Sequence, residues 1–244
     1  MGDIDYSEET PFKYLKFKIL YGLIISISTF LGIKYYIKYD MKKSLKITLA
    51  LSSIIILYLI YKYFNIKKYI EENPTFFSKE VSAEKTITID KKYFKKPKDS
   101  HSFIFIFNLY IANFNFKYGK TKNIMKKGFG KNVCPEININ SNVNDIEISF
   151  ILENGQSNTI KLKDIPINKY INIALQFNDN TLEIYKNGLL INAYAYSSRP
   201  LFNNSDLQLF TNGGLKGAIS NLFYSPKYHN TSEIRLKVNR MLSN

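Results

Sequence analysis

The sequence contains one cysteine, Cys134, so no disulfide can form within the chain. Secreted domains are often held by disulfides, and a lone cysteine in a β-rich chain therefore indicates folding in a reducing compartment. We expect Cys134 to behave as a small, buried apolar residue.

Histidine is also scarce, and neither His101 nor His229 has an acid or a cysteine at metal-ligand spacing. Both are expected to be surface or packing residues. Asn203, Asn204 and Asp206 could crowd one loop tip as calcium ligands, although an ordinary polar loop is the favoured interpretation. The sequence therefore predicts no metal and no cofactor.

Arginine supplies only three of the 34 basic residues, and this bias toward Lys, together with abundant Asn, Ile, Tyr and Phe, indicates an A/T-rich coding genome. The net charge is +14, and most of the excess lies in residues 91–131, which hold eleven lysines against one acid. Such a positive field attracts anionic lipid, nucleic acid or an acidic protein, or it is a solvated surface without a partner. No nucleic-acid motif accompanies it, so specific nucleic-acid binding is not expected.

We single out six of these lysines as a predicted basic docking patch. They are Lys117, Lys120, Lys122, Lys126, Lys127 and Lys131.

The first 16 residues are polar and lack a basic n-region, so they do not form an ordinary cleaved signal peptide. Residues 17–37 and 45–64 are two apolar segments near the roughly 20 residues that cross a bilayer. Only Ser and Thr interrupt their centres, whereas a soluble helical hairpin would need a polar stripe. The segments therefore predict a transmembrane helical hairpin over 17–64. The lysines predicted at the membrane interface are Lys18, Lys34, Lys46 and Lys62.

The link between the two segments is short, so both chain termini are expected on the same side of the membrane. Charge counting does not choose the side, since the link region has five lysines and the outer flanks six. The unpaired cysteine favours a cytosolic, or capsid-facing, C-terminal domain.

Residues 65–80 are predicted to be a linker and residues 81–244 a β domain. In residues 103–107 phenylalanines alternate with isoleucines, which is typical of a central strand that is buried on both faces. Residues 113–131 are predicted to be a basic, aromatic-dotted loop with a short strand at 123–126. Turn signals every 8 to 12 residues then predict an antiparallel β-sandwich. A short C-terminal helix is expected where Asn230 and Glu233 form a capping box.

The clearest local pattern lies in residues 170–195, where apolar residues alternate with polar ones in three successive runs. Asn187-Gly188 is a strong hairpin signal, because a type I′ turn needs positive φ at both central residues. The pattern predicts a three-stranded meander.

Three motifs carry a resemblance to a known family. They are Tyr185-Lys186-Asn187-Gly188, the "G-x-I-x-x-L" strand that runs from Gly217 to Leu222, and the Glu233-Ile234 pair in the closing helix. From roughly His101 to Leu242 the chain resembles the laminin-G-like branch of the concanavalin A-like lectin/glucanase domains. The resemblance implies a jelly-roll sandwich. The sequence departs from the family by having Tyr170 and Asn172 where Trp and His are frequent.

The same superfamily includes glucanases, which carry paired carboxylates in the pattern "E-x-D-x-x-E" because retaining hydrolysis needs two closely spaced carboxyls. The nearest match is Asp145-Ile146-Glu147, which lacks the first Glu. Neighbouring carboxylates on a strand also point to opposite faces. No catalytic residue is therefore predicted.

Our first hypothesis is a non-enzymatic, membrane-anchored docking protein. The composition and layout of the chain resemble those of membrane-associated minor virion proteins of large DNA viruses. In such a virion the module would link an internal membrane to capsid proteins. The alternative is a membrane-tethered lectin-like protein whose partner is a glycan. A glucanase-like hydrolase is the third hypothesis.

Overall fold

The computed structural model describes residues 41–97 and 101–242, with side chains from residue 51 onward. The chain divides into two units, of which the first ends at Glu71 and the second begins at Glu72. A single long helix, α1 (Met41–Glu72), dominates the described part of the first unit.

The second predicted apolar segment, 45–64, falls within α1, and so do Lys46 and Lys62. In the described part of the chain, no helix combines the length and the apolar character needed to cross a membrane. The first predicted segment, 17–37, lies outside the described residues, as do Lys18 and Lys34. The transmembrane hairpin therefore stays a prediction.

The second unit consists of two antiparallel β-sheets and a short C-terminal helix, which confirms that part of the predicted fold class. Sheet A contains β1 (Thr75–Phe76), β2 (Val81–Ser82), β4 (Phe103–Asn113), β9 (Tyr170–Asn178), β10 (Thr181–Lys186), β11 (Leu189–Ala195) and β13 (Lys216–Ser225). Sheet B contains β3 (Ile87–Ile89), β5 (Lys122–Lys127), β6 (Glu136–Ile139), β7 (Ile146–Ile151), β8 (Ser157–Leu162) and β12 (Leu207–Leu209).

The strand order in sheet A is β1-β13-β4-β9-β10-β11, with β2 also paired to β13. In sheet B the order is β3-β12-β5-β6-β7-β8. β1 lies inside the range 65–80 that was predicted to be a linker. The sequence did not indicate this two-residue strand, because pairing with β13 holds it in place rather than a pattern of its own.

The main core lies between the sheets and includes Phe103, Phe105 and Phe107 from the inner face of β4. The outer face of β4 is apolar as well. Its residues Ile104 and Ile106 pack in a smaller cluster beneath the C-terminal helix α2 (Thr231–Leu242). β4 is therefore buried on both faces, as predicted, since a sheet lies on one side and a helix on the other.

The meander over residues 170–195 is confirmed as β9, β10 and β11. Asn187 and Gly188 both have positive φ, at 51° and 77°, as a type I′ turn requires. The capping box of α2 is confirmed as well. Asn230 Oδ1 accepts from Glu233 N at 2.9 Å, and Glu233 Oε2 accepts from Asn230 N at 3.2 Å.

The segment predicted as the loop 113–131 contains a full strand, β5, which lies between β12 and β6 in sheet B. The predicted short strand at 123–126 is confirmed and is one residue longer at each end, because the flanking Lys122 and Lys127 are buried parts of the strand rather than loop residues.

Candidate functional site

A short basic segment, residues 91–96, follows β3 and is held in place by its backbone. Its first three residues form a 3₁₀ turn that begins with a cap, in which Asp90 Oδ1 accepts from Lys92 N at 2.8 Å. Asp206 Oδ1 accepts from Lys91 N at 2.9 Å, and Tyr224 donates its hydroxyl hydrogen to the carbonyl of Lys95. The segment is therefore attached to two other parts of the sandwich, next to β12 and within β13.

The aromatic residue at the centre of this segment anchors it from inside. Phe94 is buried and packs edge-on against Tyr224, with 5.2 Å between ring centroids. It also contacts Phe76 and Phe105. With Phe94 turned inward, the lysines before and after it are left on the surface.

These lysines line a cavity of about 400 Å³. Its lining consists of Lys91, Lys92, Phe94, Lys95, Lys96, Phe202 and Asn204, a set that we call the Lys91–Lys96 pocket. In the described part of the chain, the only ion pair among the four pocket lysines joins Lys92 Nζ to Asp90 Oδ2 at 3.8 Å. Both side chains of that pair are exposed, so the pair compensates little of the charge.

A fifth lysine lies behind the aromatic wall of the pocket. Lys127 is buried, and its ammonium is 4.9 Å from the ring centroid of Phe202 and 5.5 Å from that of Phe94. Burial lowers the pKa of Lys127 to about 8, while electrostatic interactions with Cys134 and Asp206 act in the opposite direction. The positive charge of Lys127 at neutral pH thus adds to that of the four surface lysines.

The residues of the predicted basic docking patch do not form one exposed surface. Lys122 and Lys127 are buried, and Lys122 Nζ lies 4.5 Å from the centroid of Phe114 without a hydrogen-bond partner. Lys117 donates to the carbonyls of Asn212 and Gly213, at 2.9 and 2.8 Å.

The remaining members of the predicted patch differ among themselves. Lys126 is half-buried and lies 3.5 Å from Glu136 Oε1. Lys120 and Lys131 are exposed. A docking role for the patch stays a prediction. The exposed lysines that the fold places around one cavity are those of residues 91–96.

Sequence reasoning counted the pocket lysines but did not select them. The signal was present in Lys91-Lys92-Tyr93-Phe94-Lys95-Lys96, where two basic pairs flank two aromatic residues. An aromatic pair between two lysine pairs indicates a segment that is anchored by its rings and exposes its lysines. The other half of the lining, Phe202 and Asn204, is more than 100 residues away in sequence and joins the pocket only through the fold.

In the candidate calcium loop, residues 203–206, oxygens of Asn203 and Asp206 already have hydrogen-bond donors. Asn203 Oδ1 and its main-chain carbonyl both accept from Lys127 Nζ, and Asp206 Oδ1 accepts from a backbone amide. Within residues 41–97 and 101–242, no cluster of three His, Cys, Asp or Glu side chains could hold a metal ion. The oxygens of Asn203 therefore bind the ammonium of Lys127, and the Oδ1 of Asp206 binds the main chain of Lys91.

The candidate carboxylates Asp145 and Glu147 are engaged with neighbouring groups. Glu147 Oε1 accepts from Asn140 Nδ2 at 2.9 Å and lies 3.2 Å from Lys161 Nζ. The hydrogen bond from Asn140, supported by Lys161, lowers the pKa of Glu147, so this carboxyl is not suited to donate a proton. Asp145 Oδ1 accepts from the backbone amide of Asp164 at 3.1 Å.

Sequence reasoning missed a cluster around His229. His229 Nε2 is 2.9 Å from Ser225 Oγ, and its Nδ1 is 3.4 Å from Glu233 Oε2. The residue types match a hydrolytic triad, but Ser225 is fully buried and donates its hydroxyl hydrogen to Asn73 Oδ1. A nucleophile needs both access and a base that takes its proton. The cluster therefore joins the end of β13 to α2.

No protein-family model matches the chain, and no curated protein matches it in sequence. In fold it is similar to solved structures of botulinum neurotoxin domains. The receptor-binding domain of botulinum neurotoxin D superposes with a TM-score of 0.55 at 10% identity, covering 70% of this chain and 44% of that one. A second structure, of the botulinum neurotoxin serotype D binding domain, gives 0.54 at 10% identity and covers 70% and 42%. This chain thus spans less than half the length of those domains, and the likeness concerns the fold alone.

Proposed function

We propose that the β-sandwich is a non-enzymatic, lectin-like domain that binds a carbohydrate in the Lys91–Lys96 pocket. The observation that carries the proposal is the pocket itself. Its volume of about 400 Å³ falls in the range of roughly 300–1,000 Å³ in which proteins bind small ligands. The neighbours in fold are binding domains by name, which supports a binding role without identifying the ligand.

The lining has the mixture of side chains that a saccharide requires. Lys91, Lys92, Lys95 and Lys96 supply charged donors, and the amide of Asn204 both donates and accepts. Phe202 supplies an apolar surface for the carbon face of a sugar ring. Because the backbone beneath the lysines is fixed by Asp90, Asp206 and Tyr224, little ordering is needed when a ligand binds.

A hydrolytic function is disfavoured by the same groups that would have to perform it. Glu147 is kept ionised by its partners, and Ser225 is enclosed in the interior. Neither group lines the pocket. Recognition without chemical change is therefore the function that this arrangement supports best.

Binding of the purified full-length chain to a glycan array tests the proposal. Asn204→Tyr places a bulky ring at the exposed edge of the pocket and should abolish the signal. Asn154→Tyr is the matched control, since Asn154 is also exposed but lies at the turn between β7 and β8. Absence of binding to every saccharide on the array would refute a lectin-like function.

We further propose that residues N-terminal to the sandwich hold this domain at a membrane. The support lies in α1, which exposes large apolar side chains at five consecutive positions, Ile54 to Tyr58, and so on every side of the helix. Flotation of the full-length chain with lipid vesicles in the absence of detergent should recover it in the lipid fraction. A chain that stays in the aqueous fraction would contradict the tether and leave the carbohydrate proposal intact.

The narrower parts of the sequence hypotheses stay predictions. These are the laminin-G-like membership, the cytosol-facing or capsid-facing side, and the place in the virion of a large DNA virus. No observation on the described residues supports a capsid partner, and protease protection on membranes would determine the side on which the sandwich lies.

A further inference from the structure

We propose that the Lys91–Lys96 pocket selects saccharides that carry an oxyanion, namely a sulfate or a carboxylate, over neutral saccharides. This inference rests on the proposed carbohydrate-binding function and specifies its ligand class. Its basis is the charge of the pocket and the way in which that charge is fixed.

The charge of the pocket is one-sided. Among the described residues, four lysines line the pocket and no Asp or Glu does. Asp90 and Asp206, two acids that contact the segment, already accept from the backbone amides of Lys92 and Lys91. In the described part of the chain, Lys91, Lys95 and Lys96 form no ion pair, so their charges remain available to a ligand.

The main chain that carries these lysines is held in place. In sequence the two lysine pairs flank Tyr93 and Phe94, and Phe94 is anchored in an aromatic cluster. The exposed lysine side chains lose rotamer entropy when they bind, but the main chain from which they extend needs no further ordering. A ligand anion therefore meets a charged rim that already exists.

A buried charge lies close to the two rings of the pocket. The ammonium of Lys127 is 5.5 Å from the ring centroid of Phe94 and 4.9 Å from that of Phe202, donates to Asn203, and does not line the pocket itself. Charges interact more strongly through the protein interior than through water, so Lys127 strengthens the positive potential on the far side of those rings. A neutral sugar gains nothing from that potential, whereas a sulfate or carboxylate does.

The shape of the site favours a saccharide over two other anions. Nucleic acid needs a groove along which several bases stack, and the pocket offers only one half-buried ring and one almost fully buried ring. A membrane surface needs a flat, exposed array, and the pocket is concave. Anionic vesicles and an oligonucleotide are therefore included in the test as competing outcomes.

The experiment is isothermal titration of the full-length chain, purified in an uncharged detergent. The probes are a heparin tetrasaccharide, the same tetrasaccharide after desulfation, which keeps its carboxylates, and neutral maltotetraose. Phosphatidylserine vesicles and a single-stranded oligonucleotide complete the set. We expect at least one of the two anionic saccharides to bind about tenfold more tightly than maltotetraose, which is the effect of roughly one charge-assisted contact.

Two double variants locate the binding. Lys95→Gln with Lys96→Gln should weaken the anionic saccharide about tenfold while leaving maltotetraose nearly unchanged. Lys120→Gln with Lys131→Gln removes the same charge from two exposed lysines outside the pocket and should have little effect. Because all four side chains are exposed, none of these changes should affect folding, and circular dichroism checks this.

Each other outcome contradicts the inference in a distinct way. Equal affinity for anionic and neutral saccharides would overturn it while the carbohydrate proposal stands. Equal losses in both double variants would assign the charge effect to the whole surface rather than to the pocket. If vesicles or the oligonucleotide bound more tightly than the saccharides, and the Lys95→Gln, Lys96→Gln variant lost that binding, the ligand of the pocket would be a membrane or a nucleic acid instead. If no saccharide bound at all, both proposals would be refuted.

Discussion

Lys127 and Asn203 bind each other in both directions. The ammonium of Lys127 donates to the main-chain and side-chain oxygens of Asn203, and Asn203 Nδ2 donates back to the main-chain carbonyl of Lys127 at 3.0 Å. The same amide reaches the carbonyl of Cys134 at 3.3 Å. This reciprocal pair fastens the loop before β12 to the end of β5, and it places Asn204 and Phe202 in the pocket wall.

Replacing Asn203 should destabilise the sandwich. Asn203→Ala leaves the buried ammonium with one acceptor from this residue and removes the side-chain donor to the carbonyl of Cys134, while the carbonyl of Lys127 still accepts from Cys134 N. We therefore expect a loss of roughly 2–4 kcal/mol in the free energy of unfolding. Urea unfolding of the full-length chain measures it. The control is Asn204→Ala, because Asn204 is exposed, and its effect should stay within about 0.5 kcal/mol. Similar losses in both variants would show that the Lys127–Asn203 pair contributes little.

Anion binding should weaken as the pH rises through about 8, the pKa of Lys127. An anion in the pocket favours the protonated form of this lysine, so its affinity is highest below that pH and falls once the ammonium is lost. The affinity for a heparin tetrasaccharide, measured between pH 6.5 and pH 9.5, reports this decrease, because the range spans that pKa.

The variant Lys127→Met tests whether Lys127 causes this change in affinity, since Met keeps most of the unbranched side chain but cannot titrate. It should bind the tetrasaccharide more weakly than the parent chain at neutral pH, and its affinity should not change near pH 8. Lys237 also has its pKa lowered by burial to about 8, and for that reason the variant is needed. A step that persists in Lys127→Met would belong to Lys237 or another group.

The parts of the fold that were predicted correctly are those with local signals. The Asn187-Gly188 turn and the Asn230–Glu233 capping box depend on residues that are neighbours in sequence. The unbroken apolar run of Phe and Ile in β4 likewise indicates by itself that both faces of the strand are buried. These features need no knowledge of distant partners.

The pocket and β5 could not be predicted in the same way. Lys122 and Lys127 are of a residue type that is common in loops. Their burial is stabilised by distant groups, namely the ring of Phe114 for Lys122, and the rings of Phe94 and Phe202 with the oxygens of Asn203 for Lys127. The pocket likewise needs residues 91–96 and 202–204 to meet across the edge of a sheet. Long-range pairing of this kind leaves no periodic trace in the sequence.

The stability of the sandwich should fall as the pH drops below about 6.5, the ordinary value for histidine. Burial lowers the pKa of His229, with Lys237 and Lys227 acting in the same direction and Glu233 opposing them. The unfolded chain then binds the proton more readily than the folded one, so stability is fully present above pH 6.5 and is lost as the pH falls through the folded pKa.

Thermal unfolding of two single variants between pH 5 and pH 7.5, a range that contains the ordinary titration of histidine, tests this assignment. His229→Gln should lose the pH dependence in that range. His101→Gln should retain it, because His101 is exposed and is the only other histidine in the chain. Loss of the slope in His101→Gln, or its persistence in His229→Gln, would assign the titration to other groups.

The glycine of the "G-x-I-x-x-L" strand has a steric role that a single substitution can measure. β13 shifts register against β4 between Lys216 and Gly217, and a Cβ at Gly217 would lie 2.0 Å from the carbonyl oxygen of Tyr110. Gly217→Ala should therefore force the two strands apart and cost about 2–3 kcal/mol in unfolding free energy. Ala218→Ser, at the next position of the same strand, is the control and should cost less than about 1 kcal/mol. Equal costs at the two positions would mean that β13 and β4 can move apart to accommodate a Cβ. The short distance between the strands would then not be the reason for glycine at this position.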